Sequence, residues 1–229
     1  MTDVPSIEAA TAATAERFGG LDVVVANAGI GPPTATNRVV DPTAYERVIE
    51  VNLLGVWRTV RAALPHVVER RGHVVVVASV YAFFNGVVAS PYAMSKAGVE
   101  QLGRALRVEL APHGASASVA YFGFIDTAMV SEALDDPVGE RFRESMPDFL
   151  MRSLPPSAAG EAIVRGIERR APRIVAPGWW RVLSVLRGVL NPLIDARMER
   201  DPRVLELVRA ADEPRRAAQD AATGGPPQP

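Results

Sequence analysis

The sequence predicts an α/β protein built on a parallel sheet. Four short runs are largely apolar, the first two of them rich in valine, and longer segments with helical periodicity separate them. Apolar runs of this length are typical of strands buried on both faces of a sheet. Strands that alternate with helices predict parallel pairing. The predicted strands are LDVVVA (21–26), HVVVVAS (73–79), ASASVAYF (115–122) and RIVAP (173–177).

Three helical segments accompany the first three strands. The first, 5–18, ends at Gly19-Gly20, a sequence that stops helices. The second runs from about 42 to 70 and the third from about 91 to 112. Because ligands bind beyond the carboxyl ends of parallel strands, three loops become candidate sites. These loops are 27–31, 79–84 and 122–127.

The composition narrows the functional classes. With 25 basic and 26 acidic residues the net charge is near zero, so we expect no nucleic-acid partner. The chain has no cysteine, which excludes disulfides and thiolate nucleophiles. His66, His73 and His113 lack metal-ligand spacing, so no metal site is predicted. No secretion signal is visible, and we expect a cytoplasmic protein.

A tyrosine and a lysine lie four residues apart in SPYAMSKAGV, residues 90–99. On a helix, Tyr92 and Lys96 would share one face, about one turn apart. A phenol has an ordinary pKa of about 10, and a neighbouring ammonium would lower it, which would make the tyrosine a usable general acid or base. The alternative is an ordinary buried tyrosine with an exposed lysine, and the spacing alone favours that alternative.

Further motifs in a fixed order reverse this preference. Ser79 ends the second strand, Asn52 lies in the preceding helix and Asn27 follows the first strand. Together, ANAG (26–29), VNLLG (51–55), Ser79 with YAMSK (92–96), and FGFIDT (122–127) resemble the short-chain dehydrogenase/reductase family over roughly residues 5–130. The resemblance implies a Rossmann-like doubly wound parallel sheet, NAD or NADP as the cofactor, and interconversion of alcohols and carbonyl compounds.

The resemblance also implies a role for each matching residue. Tyr92 would donate a proton in reduction and accept it in oxidation, while Lys96 would lower the pKa of Tyr92 and hold the nicotinamide ribose. Ser79 would orient the substrate oxygen, and Asn52 would hold a water in a proton relay with Lys96. The cofactor would be contacted by Tyr92, Lys96, Asn27, Ala28, Gly29, Gly123, Ile125 and Thr127.

Two positions depart from the family pattern. Ala26 stands where the first of two asparagines is usual, and Phe122-Gly123 replaces the usual Pro-Gly. Gly123 would still let the backbone approach a ligand. Tyr121, Phe122 and Phe124 would either bias the pocket toward apolar substrates or pack ordinarily at a strand end.

The glycine-rich TGxxxGxG cradle of the family has no counterpart in the sequence, so we expect the sheet to lack its first β-α-β-α-β half. The opening Met-Thr-Asp matches the end of the family's Asp-Val-Thr-Asp, with Met1 in the valine position. A GTG codon reads as valine internally and as methionine at a start, which suggests that Met1 is an internal valine of a longer frame. Without the missing strands, an edge or face of LDVVVA should be exposed and cofactor binding poor.

The chain divides into a partial dehydrogenase domain (1–177), an amphipathic helical region (178–211) and a disordered, proline- and glycine-rich tail (212–229). The segment 178–194 is too short and too charged to span a bilayer. It would pack on the core, form an apolar lid, or rest on a membrane surface as a peripheral helix. Its apolar side comprises Trp179, Val182, Leu183, Leu186, Leu190 and Leu193, and its other side Arg181, Ser184, Gly188 and Asn191.

The sequence therefore predicts an NAD(P)-dependent oxidoreductase for an apolar alcohol or ketone. The alternative is a degenerate, non-catalytic member of the family that acts as a binding module. A homo-oligomer is also predicted, because two helices resemble the family's dimer helices and carry more apolar residues than one sheet-facing stripe needs. Those residues are Val48, Val56, Val60, Leu102, Leu106 and Leu110, and the alternative is that all of them pack on the sheet.

Overall fold

The computed structural model describes residues 1–213, and a four-stranded parallel sheet forms its centre. The strands are β1 (Val23–Ala26), β2 (His73–Val77), β3 (Ser116–Phe122) and β4 (Arg173–Ala176). They lie side by side in chain order, and every neighbouring pair is parallel. The predicted α/β class is confirmed, and each predicted strand is present with slightly shorter bounds.

Helices α3 (Gly55–Glu69) and α4 (Ser90–Glu109) cover one face of the sheet, and α1 (Val4–Phe18) packs on α3. Val67 of α3 and Val99 of α4 are fully buried in the same cluster as Val74 and Val76 of β2. Because side chains alternate along a strand, Val75 of β2 points to the opposite face. The all-valine run of β2 therefore serves two apolar layers.

The opposite face is covered by α7 (Pro156–Glu168), which contacts β2, β3 and β4. Phe122 and Ile174 are buried there together with Val75. In the described part of the chain this cover does not reach β1, where Val23 and Val25 are each 40 % exposed. Since β1 is also an edge strand of the described sheet, the predicted exposure of the LDVVVA strand is confirmed.

The segment predicted as one helix from 42 to 70 consists of three elements. These are α2 (Pro42–Ile49), a wide π-helical turn (Glu50–Leu54) and α3. Asp41 caps α2 by accepting hydrogen bonds from the backbone N–H groups of Thr43 and Ala44. The wide turn lies where the helix passes the carboxyl end of β1, and it contains Asn52.

Helices α5 (Ala128–Leu134), α6 (Pro137–Ser145) and α7 were not predicted from the sequence, whereas α9 (Pro202–Asp212) lies almost wholly within the predicted helical region 178–211. The predicted helix at 178–194 is α8 (Trp180–Met198). Asp212, assigned by the prediction to the disordered tail, instead ends α9, accepts a hydrogen bond from Thr36 and pairs with Arg38 at 3.2 Å. The part of the predicted tail from residue 214 onward lies outside the described residues.

The apolar residues on which the oligomer prediction depended pack within the chain itself. Five of them are at most 3 % exposed and the sixth is partly buried against the same core: Val48, Val56, Val60, Leu106 and Leu110, followed by Leu102. That argument for an oligomer is wrong, because α2, α3 and α4 bury these side chains against each other and the sheet. Different residues of the same helices are exposed, notably Trp57 (43 %) and Val108 (74 %).

Candidate active site

The carboxyl ends of β1, β2 and β3 border a cleft of about 740 Å³, which we call the large cleft. The three loops predicted from the sequence contribute to its wall, as does the first part of α4. Asn52 lies outside the wall, behind the loop that follows β1. The other predicted site residues all line it: Asn27, Ala28, Gly29, Ser79, Tyr92, Lys96, Gly123, Ile125 and Thr127.

Tyr92 and Lys96 lie on the same face of α4, as their spacing predicts. The Nζ atom of Lys96 is 5.4 Å from the centroid of the Tyr92 ring. Lys96 is buried, with 4 % of its surface exposed, and its ammonium donates a hydrogen bond to the carbonyl oxygen of Val77 at 3.0 Å. The last residue of β2 therefore fixes the position of the lysine, and the alternative of an exposed lysine is wrong.

Ser79 stands two residues beyond β2 and begins a short 3₁₀ turn. Its hydroxyl donates a hydrogen bond to the carbonyl of Phe122 at 3.3 Å and accepts one from the Tyr81 N–H at 3.3 Å. The wall of the large cleft contains both Ser79 and Tyr92. Ser79 thus joins the ends of β2 and β3 within that wall.

The pKa of Tyr92, beside Lys96, differs from the prediction. Burial raises the pKa of Tyr92, and the hydrogen bond from Ser79 acts in the opposite direction. Burial also lowers the pKa of Lys96 to about 8. The predicted net lowering of the Tyr92 pKa is therefore wrong for this structure, because loss of hydration outweighs favourable contacts with the phenolate. Near neutral pH the pair is a neutral phenol beside a charged ammonium.

Asn52 holds the loop that follows β1. Its Oδ1 atom accepts a hydrogen bond from the Ile30 N–H at 2.8 Å, and its Nδ2 group donates one to the Ile30 carbonyl at 2.9 Å. A Cβ atom on Gly29 would lie 3.1 Å from the Oδ1 atom of Asn52 and 3.7 Å from the Nζ atom of Lys96, so glycine allows the loop to approach both. These contacts make Asn52 a positioning residue, and its predicted relay role stays a prediction.

A second cavity of about 120 Å³, the apolar pocket, adjoins the large cleft. The two share Ser79, Tyr92 and Gly123 in their walls. Most of the apolar pocket was not predicted, because its wall comes largely from α5, α6 and the loop before α4 rather than from a motif. The residues missed include Val88, Met129, Leu134 and Phe142, whereas Tyr81 lies in the predicted loop 79–84.

The aromatic cluster at the end of β3 divides between different environments. Phe124 lines the apolar pocket and Phe122 lines the large cleft. Tyr121 is 1 % exposed and packs against Phe83, so the alternative of ordinary packing holds for this residue. The cause is strand alternation, which turns Tyr121 and Phe122 to opposite faces of the sheet.

Gly123 borders both cavities, but the structure requires glycine there for another reason. A Cβ atom at this position would lie 2.6 Å from the Nε1 atom of Trp180. Trp180 is 3 % exposed and belongs to the main core. The close approach of the first turn of α8 to the end of β3 therefore depends on this glycine.

The chain is similar in sequence to known dehydrogenases. A family model described as short chain dehydrogenase matches residues 1–137. The cis-4-hydroxycyclohexanecarboxylate dehydrogenase of Sinomonas cyclohexanicum is 37 % identical over 132 residues, which are 57 % of this chain and 53 % of that protein. The chain spans about half the length of the curated relatives it matches.

Two solved structures are also similar. An alcohol dehydrogenase from Thermococcus sibiricus in complex with 5-hydroxy-NADP has a TM-score of 0.59 at 28 % identity, over 71 % of this chain and 63 % of that one. A carveol dehydrogenase from Mycobacterium avium in complex with NAD has a TM-score of 0.54 at 31 % identity, over 64 % of this chain and 52 % of that one.

Proposed function

Because the chain belongs to the short-chain dehydrogenase family, we propose that it is an oxidoreductase that interconverts an alcohol and a ketone or aldehyde. Its four parallel strands form part of the family's Rossmann-like sheet. One observation carries the proposal: Ser79 and Tyr92 stand where the large cleft meets the apolar pocket. A reaction between a cofactor in the cleft and a substrate in the pocket requires proton-transferring groups at such a junction.

We propose NAD or NADP as the cofactor, in agreement with the NAD and the 5-hydroxy-NADP of the two solved relatives. The residues present fit the nicotinamide and its ribose, since Lys96 offers a buried cation and Asn27 and Thr127 offer polar side chains on the cleft wall. The sequence holds no TGxxxGxG turn for the pyrophosphate. We infer that these residues hold the nicotinamide end of the cofactor better than the adenosine end.

Each side chain at the junction has a distinct task. The nicotinamide supplies or accepts a hydride when the cofactor is bound. In reduction, Tyr92 donates its phenolic proton to the carbonyl oxygen, and in oxidation it takes a proton from the hydroxyl. When substrate is bound, the Ser79 hydroxyl turns its one proton from the Phe122 carbonyl to the same oxygen and keeps it beside Tyr92. The ammonium of Lys96, 5.4 Å from the Tyr92 ring, stabilises the phenolate that forms as the proton leaves.

We propose that the substrate is apolar and uncharged. Among the described residues, none that line the apolar pocket carries a formal charge near neutral pH. Phe124, Met129 and Phe142 provide most of the bulky apolar wall, and the polar groups there are a few hydroxyls. Burial of a charged substrate in such a wall would cost free energy without a compensating partner. Carveol, the alcohol named for one solved relative, is therefore a suitable probe.

A second candidate is a non-catalytic member of the family that acts as a binding module. The missing phosphate cradle favours it, as do Val23 and Val25, which leave part of the sheet exposed. The retained set of Asn52, Ser79 and the Tyr92–Lys96 pair favours the enzyme instead. Of the two proposals, only the oxidoreductase predicts that alcohol or ketone turnover occurs and depends on Tyr92.

We also propose that the chain forms a homo-oligomer through α3 and α4. The support is the exposure of Trp57 (43 %) on α3 and of Met94 (56 %) and Val108 (74 %) on α4. Light scattering should give the mass of two or more chains, and the pair Trp57→Ser and Val108→Ser should shift it toward one chain. A monomeric wild type at every concentration would remove this proposal.

Replacement of Tyr92 by phenylalanine should lower the turnover of carveol by about 10²-fold or more, the usual scale for loss of a general acid or base. Turnover is followed by the absorbance of the reduced nicotinamide at high NAD or NADP concentration. Tyr81→Phe is the matched control, because the Tyr81 ring lies 5.6 Å from that of Tyr92 in the same pocket. Activity of Tyr92→Phe within a few-fold of wild type contradicts the mechanism, and no wild-type turnover with either cofactor favours the binding module.

The two ends of the cofactor should contribute unequally to binding. We expect NADH and dihydronicotinamide mononucleotide to have dissociation constants within about tenfold of each other, because the adenosine half finds no cradle. Lys96→Ala should weaken both by about tenfold or more, the scale for a lost hydrogen bond to a charged group, whereas exposed Arg104→Ala on the same helix should not. Fluorescence titration measures these constants, and NADH binding about a hundredfold tighter than the mononucleotide would refute this assignment.

A further inference from the structure

We propose that α8 rests on an anionic lipid surface through an exposed apolar row, here called the α8 stripe. Its members recur at steps of one, three and four residues, so they lie along one side of the helix. Each is between 46 % and 69 % exposed: Val182, Val185, Leu186, Val189 and Leu193. A row of five large aliphatic side chains in water is unusual for an ordinary surface helix.

The orientation of α8 differs from the one predicted for a helix packed on the core. Arg187 faces inward and forms two hydrogen bonds with the buried carboxylate of Glu100, at 2.8 and 2.9 Å. Asn191 donates a hydrogen bond to the Phe83 carbonyl at 2.9 Å, and Ser184 is buried. Half of the predicted polar side therefore contacts the protein, and half of the predicted apolar side faces outward: Val182, Leu186 and Leu193.

Aromatic residues extend the apolar surface at the amino end of α8. Trp179 stacks on Trp180 with ring centroids 4.0 Å apart, and it contacts Phe149 at 5.5 Å. Phe149 is itself 52 % exposed. Aromatic rings of this kind suit the boundary between headgroups and acyl chains.

The charges at the two ends of the α8 stripe select the kind of surface. Arg181 precedes it, and Arg197 and Arg200 follow it, all three exposed; Glu199 is the exposed carboxylate at the same end. Within the described part of the chain, none of these arginines has a carboxylate oxygen within 4 Å. A basic residue at each end of an apolar row complements anionic headgroups.

The same charges disfavour a second copy of this chain as the occupant. Two α8 stripes paired antiparallel about a two-fold axis would bring Arg181 of one copy toward Arg197 and Arg200 of the other, and the carboxylate of Glu199 would offset only one of these two arginines. Like charges at such an interface oppose association. Within residues 1–213 there is also no helix that is long and apolar enough to cross a bilayer, so the contact we propose is peripheral.

Vesicle co-sedimentation of the whole chain tests the proposal. The vesicles are phosphatidylcholine alone and phosphatidylcholine with phosphatidylglycerol. Val185→Ser with Val189→Ser removes apolar area, and Arg181→Gln with Arg197→Gln and Arg200→Gln removes charge. The control is Phe18→Ser with Val164→Ser, which removes equally exposed apolar side chains from α1 and α7. Circular dichroism verifies that each variant is folded.

The wild type should sediment with the phosphatidylglycerol vesicles and only weakly with phosphatidylcholine alone. The serine pair in the α8 stripe should weaken binding by about tenfold or more, and each arginine lost should weaken it by about fivefold. The Phe18 and Val164 control should bind as wild type does. The arginine variant keeps the test decisive even if the stripe variant fails to fold.

Three results would overturn the proposal. One is a wild type that stays in the supernatant with phosphatidylglycerol vesicles, and another is equal binding to the two kinds of vesicle. The third is an oligomer, seen by light scattering, that the serine pair converts to monomer while vesicles bind neither form. That third result would assign the α8 stripe to a second copy of this chain.

Discussion

Burial of the Lys96 ammonium at the end of β2 is the constraint on which the arrangement of the site depends. Removing a charge from water costs free energy, and here burial lowers the lysine pKa to about 8. The hydrogen bond from Nζ to the Val77 carbonyl, 3.0 Å long, offsets part of that cost. Because its donor belongs to α4 and its acceptor to β2, this bond also fixes how the helix lies against the end of the sheet.

The other site residues are placed around this contact. Tyr92 lies one helical turn before Lys96, and Ser79, which joins the ends of β2 and β3, lines the same cleft. Gly29 lets the loop after β1 pass close to the ammonium, and Asn52 fixes that loop by both polar atoms of its side chain. The large cleft and the apolar pocket then meet at the two hydroxyls. The proposed chemistry depends on this junction more than on any single distance.

The sequence predicted the parts of the fold that local pattern determines. Short apolar runs, rich in valine for β1 and β2, identified β1 to β4, and the spacing of Tyr92 and Lys96 placed both on one helical face. The short helices α5 and α6 escaped prediction because 7 and 9 residues are too few to show a clear helical period, and their burial depends on tertiary contacts. The pKa of Tyr92 and the outward apolar side of α8 were missed for a related reason, since hydration and orientation depend on the packed neighbours.

The most direct test of the central claim is the pH dependence of kcat/KM for ketone reduction, measured from about pH 6 to pH 10. Lys96 is charged below its pKa and neutral above it, so the stabilisation of the Tyr92 phenolate is present at neutral pH and lost in alkali. Since burial raises the pKa of Tyr92, the phenolic proton itself remains available over this transition. The kcat/KM of the wild type should fall as the pH rises through about 8, and the kcat/KM of Lys96→Met should be low and independent of pH. A wild-type profile that is flat across this range, or a Lys96→Met variant with the same profile as wild type, would contradict it.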